Sequence, residues 1–299
     1  MKKIWLGMIV VLALMAGALA EGLDIVCTDF PCYDFARQVA GEGARVTMLL
    51  KPGTEAHAYD PTPADIVALG AADLFVYVGG ESDAWADSIL AGFDGGDAPA
   101  TLRMMDHVSD LVEEEGDAHV HDGPEYDEHI WTSPKNALRM VEAVADALSD
   151  VDPENAESYR ANAAAYGAEI QRVDDAIREI VVNAKRKTLV FADRFPFVYL
   201  TREYGLDYLA AFPSCTADTE PSAQTVMALI NRVVSDKLPA VYTIELSTQA
   251  IARTVAEETG VEILTLHSMQ TVSQSEFDAG ATWASIMGDN VEALRKGLM

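Results

Sequence analysis

Short β-branched runs alternate with amphipathic stretches along most of the chain, the rhythm of βα units on parallel sheets. Leu23 to Cys27, Arg45 to Leu50 and Asp73 to Val78 read as strands, and Thr188 to Ala192, Ala240 to Glu245 and Glu262 to Leu266 form a second set. Helical patterns lie between them: Asp34 to Ala40, Pro63 to Ala71 and a stretch after Trp85, then Ser222 to Ser235 and Ser247 to Thr259. The two sets are separated by Ala156 to Ala184, which has no proline and only Gly167 as a glycine. Tyr159, Tyr166, Ile170, Val173, Ile177 and Ile180 recur there at mostly three- and four-residue spacing, the apolar stripe of a long helix packed along one face. The expected fold class is α/β: two α/β lobes with mainly parallel sheets, residues 21–155 and 185–299, joined by one long rigid helix over 156–184. Such a connector couples lobes stiffly instead of letting them hinge freely.

Residues 1–20 stand apart from this rhythm. Lys2 and Lys3 precede an apolar run from Ile4 to Leu14, and Ala18-Leu19-Ala20 supplies the small-residue cleavage pattern of a secretory signal peptide. The run is too short for a spanning helix. Ala18 follows Gly17 where a lipid-anchored protein would offer a cysteine. An exported, unlipidated protein, periplasmic or secreted and beginning at Glu21, is expected.

Composition narrows the partners. A chain of 299 residues, 49% of them hydrophobic, can bury a sizeable core, and its formal charge of −27 repels phosphate backbones while drawing cations. Nucleic acid is excluded as a partner on that ground. Cys27, Cys32 and Cys215 are an odd number for an oxidising compartment, so at most one disulfide forms; the spacing does not say which, and buried inert thiols are the other reading.

Candidate chemistry sits in two similar settings. His57 lies in Gly53-Thr54-Glu55-Ala56-His57-Ala58-Tyr59-Asp60-Pro61-Thr62-Pro63, and His129 in Glu128-His129-Ile130-Trp131-Thr132-Ser133-Pro134. Each imidazole stands just upstream of a hydroxyl-Pro pair that reads as helix N-cap and first helical residue. Loops running into helices are where α/β proteins assemble sites, and imidazole is the commonest side-chain metal ligand, so a metal site is expected. There is no phosphate-cradling Gly-rich loop with its lysine, no Gly-x-Ser-x-Gly elbow and no His-Glu-x-x-His. No enzyme activity is expected.

The run from Lys51 to Leu69, the segment Asp127-Glu128-His129-Ile130-Trp131-Thr132-Ser133-Pro134-Lys135-Asn136-Ala137, the Tyr204-Gly205-Leu206 step after an aromatic-rich helix, and Glu220-Pro221-Ser222-Ala223 resemble the solute-binding proteins of zinc and manganese ABC transporters. The likeness spans essentially the whole mature chain in the same order. It implies a monomer of two lobes bridged by a rigid helix, a metal held in the interlobe cleft, and delivery of that metal to a membrane permease with a cytoplasmic ATPase. His57 matches the family's first ligand and His129 its second. The third departs: the family's histidine or glutamate is replaced by Arg194, a permanently charged donor that cannot ligate a cation. Asp193 beside it, or Glu245 closing the Val241-Tyr242-Thr243-Ile244 strand, is the expected substitute. His267 takes the place of the family's fourth ligand, a carboxylate. Three histidines and one carboxylate suit tetrahedral Zn2+, whereas Mn2+, the alternative, favours more oxygen donors.

The acidic stretch from Asp106 to Glu128, with His107, His119 and His121, is similar to the histidine-bearing loop of zinc transporters in this family. It reads either as a weak cation collector or as a solvated loop. Two other readings stay open: a solute-binding protein for a chelated metal or corrinoid, and a secreted zinc hydrolase.

Overall fold

In the computed structural model, residues 22–93, 98–113, 125–212 and 221–299 are described. The leader over 1–20, His119, His121 and Cys215 lie outside them.

Two four-stranded sheets form, all of whose pairings are parallel. The first contains β1 (Leu23–Cys27), β2 (Ala44–Met48), β3 (Leu74–Tyr77) and β4 (Ala100–Arg103), in the order β2-β1-β3-β4. The second repeats that order as β6-β5-β7-β8, with β5 (Thr188–Phe191), β6 (Asp207–Ala210), β7 (Ala240–Thr243) and β8 (Glu262–Thr265). Central strands β3, β5 and β7 are buried at every residue because helices cover both faces, which is why they read as continuous apolar runs. Edge strands β4, Ala-Thr-Leu-Arg, and β6, Asp-Tyr-Leu-Ala, are half-exposed; their mixed composition carries no strand signal, and the sequence pattern passes over both.

The helices are α1 (Phe30–Ala40), α2 (Pro63–Gly70), α3 (Ala84–Leu90), α4 (Pro134–Val151), α5 (Ala156–Asn183), α6 (Val198–Tyr204), α7 (Ala223–Ser235), α8 (Ala250–Thr259), α9 (Gln274–Asp278) and α10 (Trp283–Leu298). The hydroxyl-Pro starts hold: Thr62 closes a capping box with Asp65 ahead of α2, and Ser133 accepts from the backbone of Asn136 ahead of α4. Helix α6 ends at Gly205, whose φ of 62° is the left-handed cap that only glycine adopts without strain. Helix α8 starts three residues later than its sequence suggests. Ser247, the first residue of the expected helix, instead donates its hydroxyl to Asp193 and accepts from the backbone of Gln249.

Helix α5 carries the expected stripe, with Tyr159, Tyr166, Ile170, Val173, Ile177 and Ile180 all buried. At about 1.5 Å per residue it reaches from one lobe to the other. A second brace, which the sequence reading did not foresee, is α10. Its start meets the first lobe, where Asp34 accepts from the backbone of Trp283 at 2.7 Å and from Tyr166 Oη at 2.5 Å. Its end reaches the second, where the carbonyl of Leu298 accepts from the backbone of Lys185 and Gly297 leaves room for the ring of Tyr242. One apolar cluster therefore runs through both lobes by way of α1, α4, α5 and α10. Two smaller clusters fill the outer faces, Val190, Leu229, Val241 and Val255 in the second lobe and Val26, Leu69, Phe75 and Ala86 in the first. Cys27 and Cys32 are free and buried, and burial pushes both thiols well up. Among the described residues no helix is long and apolar enough to cross a membrane.

Candidate metal centre

In parallel sheets sites assemble beyond the carboxyl ends of the strands, and each expected donor lies in a segment that follows such an end: His57 after β2, His129 after β4, Asp193 after β5, Glu245 after β7 and His267 after β8. The two sets of loops meet. Trp131 donates its indole N–H to the carbonyl of Ser268 at 2.7 Å, and the backbone of Gly53 donates to the carbonyl of Val272 at 2.7 Å.

His129 is fully buried. Its backbone N–H and its Nδ1 both address Asp127 Oδ1, at 2.9 and 3.1 Å, which fixes the proton on Nδ1 and leaves the lone pair on Nε2. Asp127 is held in turn, its carbonyl accepting from Tyr199 Oη at 2.6 Å. His57, in the short 3-10 turn Ala56–Ala58, places Nδ1 2.8 Å from Ser82 Oγ, and its ring centroid lies 6.0 Å from that of His129. Between them comes Glu128. It accepts from the backbone of Ser82 at 2.9 Å, from Ser82 Oγ, and from Gln270 Nε2 at 3.2 Å. Because Ser82 Oγ donates to Glu128, it accepts from His57, and the lone pair of His57 falls on Nε2, 3.3 Å from the amide nitrogen of Gln270. One ligand atom from each of His57, Glu128 and His129 lies within 4.8 Å of the others, the one such group among the described residues.

The other three expected donors are arranged differently. Asp193 accepts from Ser247 Oγ and from the backbone of Arg194; Glu245 accepts from both the hydroxyl and the backbone of Ser268. His267 accepts at Nδ1 from the backbone of Met269 at 3.0 Å and sits 3.7 Å from Glu245 Oε2 and 3.6 Å from Glu276 Oε1. Asp193 and Glu245 line a pocket of about 190 Å³ at the cleft mouth together with Glu55, Arg194 and Gln270. Arg194 bridges that mouth, its guanidinium 3.0 Å from Glu55.

Burial lowers the basicity of His57, with the neighbouring carboxylate of Glu128 opposing, so the ring is held neutral and able to bind a cation. Behind Glu128 stand two buried acids. Burial is the main cause that lifts Asp83 to about 8, with Asp29 and Glu128 adding to it, and that lifts Asp29 to about 7 against its bond from the Cys32 backbone. Glu128, Ser82, Gln270 and Asp127 were missed by sequence reasoning. The acids that directly precede His129 were the one legible signal.

Two parallel sheets of matching strand order, with imidazoles and carboxylates gathered beyond their carboxyl ends, define a two-lobed solute-binding protein whose close donor group is of the kind that holds a metal ion. Residues 25–297 match the family described as zinc-uptake complex component A, periplasmic (ZnuA), and the chain belongs to that family. It is 34% identical over 287 residues to the zinc-binding lipoprotein AdcA of Streptococcus pneumoniae serotype 4, covering 93% of this chain and 56% of AdcA. It is 29% identical to the high-affinity zinc uptake system protein ZnuA of Bacillus subtilis, covering 95% of this chain and 90% of that one. The Zn(II)-bound ZnuA-like domain of pneumococcal AdcA superposes with a TM-score of 0.76 at 32% identity, over 93% of this chain and 99% of the domain. The metal-dependent lipoprotein YcdH of B. subtilis gives 0.79 at 28% identity, over 93% and 100%. The chain thus spans about half the length of the AdcA relatives.

Proposed function

We propose that this protein is the extracytoplasmic binding component of a zinc ABC transporter, taking up Zn2+ in the interlobe cleft and passing it to a membrane permease. The observation that carries this reading is the convergence of His57 and His129 with a carboxylate beneath the cleft, each imidazole fixed by a partner on Nδ1 so that Nε2 faces a cation. Zinc is favoured over manganese because the donors are mainly nitrogen. His57 and His129 are proposed as ligands, with His267 joining from the opposite lobe and Asp193, Glu245 or another carboxylate completing the set. The cargo is bound and released unchanged, without catalysis, by a monomer. AdcA and YcdH are named lipoproteins, which stands against the unlipidated product expected from the leader. Mass spectrometry of the mature N-terminus separates an acylated from an unacylated product.

Competition titration against a zinc chelator, with protein purified without chelator or affinity-tag histidines, tests the whole reading. One zinc per chain is expected, abolished by His57→Ala and His129→Ala together and retained when His107, His119 and His121 are all replaced. Zinc that disappears only with the latter three would overturn it.

A further inference from the structure

Resting on zinc capture at His57 and His129, the identity of the carboxylate donor is still to be assigned. We infer that Glu128, which stands at none of the four positions where the family resemblance places a ligand, supplies the carboxylate that binds the captured zinc, and that Gln270 marks the place the metal takes.

Gln270 comes from the opposite lobe, and its amide nitrogen sits 3.3 Å from His57 Nε2 and 3.2 Å from Glu128 Oε1. The two N–H donors of one amide group are thus held by an imidazole lone pair and a carboxylate oxygen that point at the same electropositive group. A dication at that point satisfies the same two lone pairs with far more charge, and brings His129 within reach as well. Glu128 is only 4% exposed, so a metal bound there with imidazoles alone would be a buried, uncompensated dication, which is strongly disfavoured. One carboxylate halves that charge.

Space has been left for this side chain. A Cβ at Gly80 would collide with Cβ and Oε2 of Glu128. Gly80 has a φ of −87°, an ordinary value for any residue, so glycine is required there for room and not for backbone freedom. The rival acids lack this placement: Asp193 and Glu245 face hydroxyls of their own lobe and lie outside the close group with His57 and His129.

Glu128 could act at one remove, by orienting His57 through the Ser82 hydroxyl, and the experiment separates the two roles. Glu128→Gln keeps the acceptor oxygen for Ser82 and removes the charge; Ser82→Ala cuts the relay and keeps the carboxylate. Zinc affinity is read by chelator competition on the full mature chain, and Co2+ substituted for zinc is read by its visible absorption. Glu128→Gln is expected to weaken zinc by more than the roughly 10- to 100-fold typical of a residue that only supports a ligand, and to change the cobalt spectrum. Ser82→Ala, Asp193→Asn and Glu245→Gln are expected to stay within that range with the spectrum kept. Glu128→Asp, a gentler change should the first variant fold poorly, is expected to keep the charge but shift the spectrum. Equal losses for Glu128→Gln and Ser82→Ala with an unchanged spectrum overturn the assignment, as does a ligand-sized loss at Asp193 or Glu245. If wild-type protein binds no zinc, or His57→Ala leaves binding intact, the transport reading itself falls; if the histidine variants lose zinc and Glu128→Gln does not, only the assignment does.

Discussion

The two walls of the cleft are built to different standards of readiness. On the first-lobe wall His57, Glu128 and His129 converge, His57 and His129 each held at Nδ1 and Glu128 held by Ser82, and Asp127 is itself pinned by Tyr199. On the second-lobe wall Asp193, Glu245 and His267 are turned toward their own lobe, bonded to Ser247, Ser268 and Met269. From that wall Gln270 reaches across to the ligand group. The contrast teaches that two sheets of the same topology can share a site unequally: one presents donors, the other covers them.

The sharpest way to break this comparison is to remove an imidazole from each wall. If about 10–16 kcal/mol of zinc binding is spread over four ligands, one first-wall histidine is worth roughly 3 kcal/mol, or on the order of 100-fold or more in affinity. His57→Ala and His129→Ala are expected to lose that much in a chelator competition, and His267→Ala distinctly less. Equal losses would mean that both walls bind the metal alike. Asp127→Asn comes next. It keeps the shape but weakens the hold on His129 Nδ1, and a loss of about 10- to 100-fold in the same titration is expected.

Protonation gives a smaller and signed effect on the first wall. The folded values of Asp83, about 8, and Asp29, about 7, lie above those of an unfolded chain, so the stability they contribute is full below about pH 4 and lost as pH rises toward 8. His57 runs the other way: its folded value lies below the usual 6.5, so the metal-free protein loses stability as pH falls below about 6.5. Asp83→Asn removes the first cost, and thermal melts of metal-free protein should show the variant gaining on wild type from pH 4 to pH 8, by on the order of a few degrees. A difference that is flat across that range would contradict it. The smallest effect belongs to the cleft mouth. The Arg194–Glu55 pair is 36% and 44% exposed, so Arg194→Ala is expected to cost less than about 1 kcal/mol in stability, and the difference should vanish in high salt.

What could be read from the sequence follows how local each signal is. The central strands, the α5 stripe and the Thr62-Pro63 and Ser133-Pro134 helix starts are set by residues a few positions apart, and they stand where the pattern placed them. Strands β4 and β6 are edges half open to solvent, and α10 acquires its role only by packing on α5, so no run of residues announces them. His57 and His129 were legible because imidazoles upstream of helix caps are unusual. Ser82 and Gln270 were not: they lie 46 and 142 positions from Glu128, and a serine or glutamine in a loop has no chemistry of its own to betray it.

The apolar cluster that passes unbroken from lobe to lobe through α1, α4, α5 and α10 bears on how fast such a protein can load. With the largest core shared by both lobes, admission of a cation under the proposed reading comes down to side chains at the mouth, Arg194 above all, whose exposed guanidinium turns on the picosecond-to-nanosecond scale, instead of waiting for microsecond-to-millisecond domain closure. Little new apolar surface is buried in that step, so the heat capacity of binding should be close to zero. Under the proposed reading, capture then approaches the rate at which diffusion and the acidic surface bring the ion in, and release is the step left to be slow.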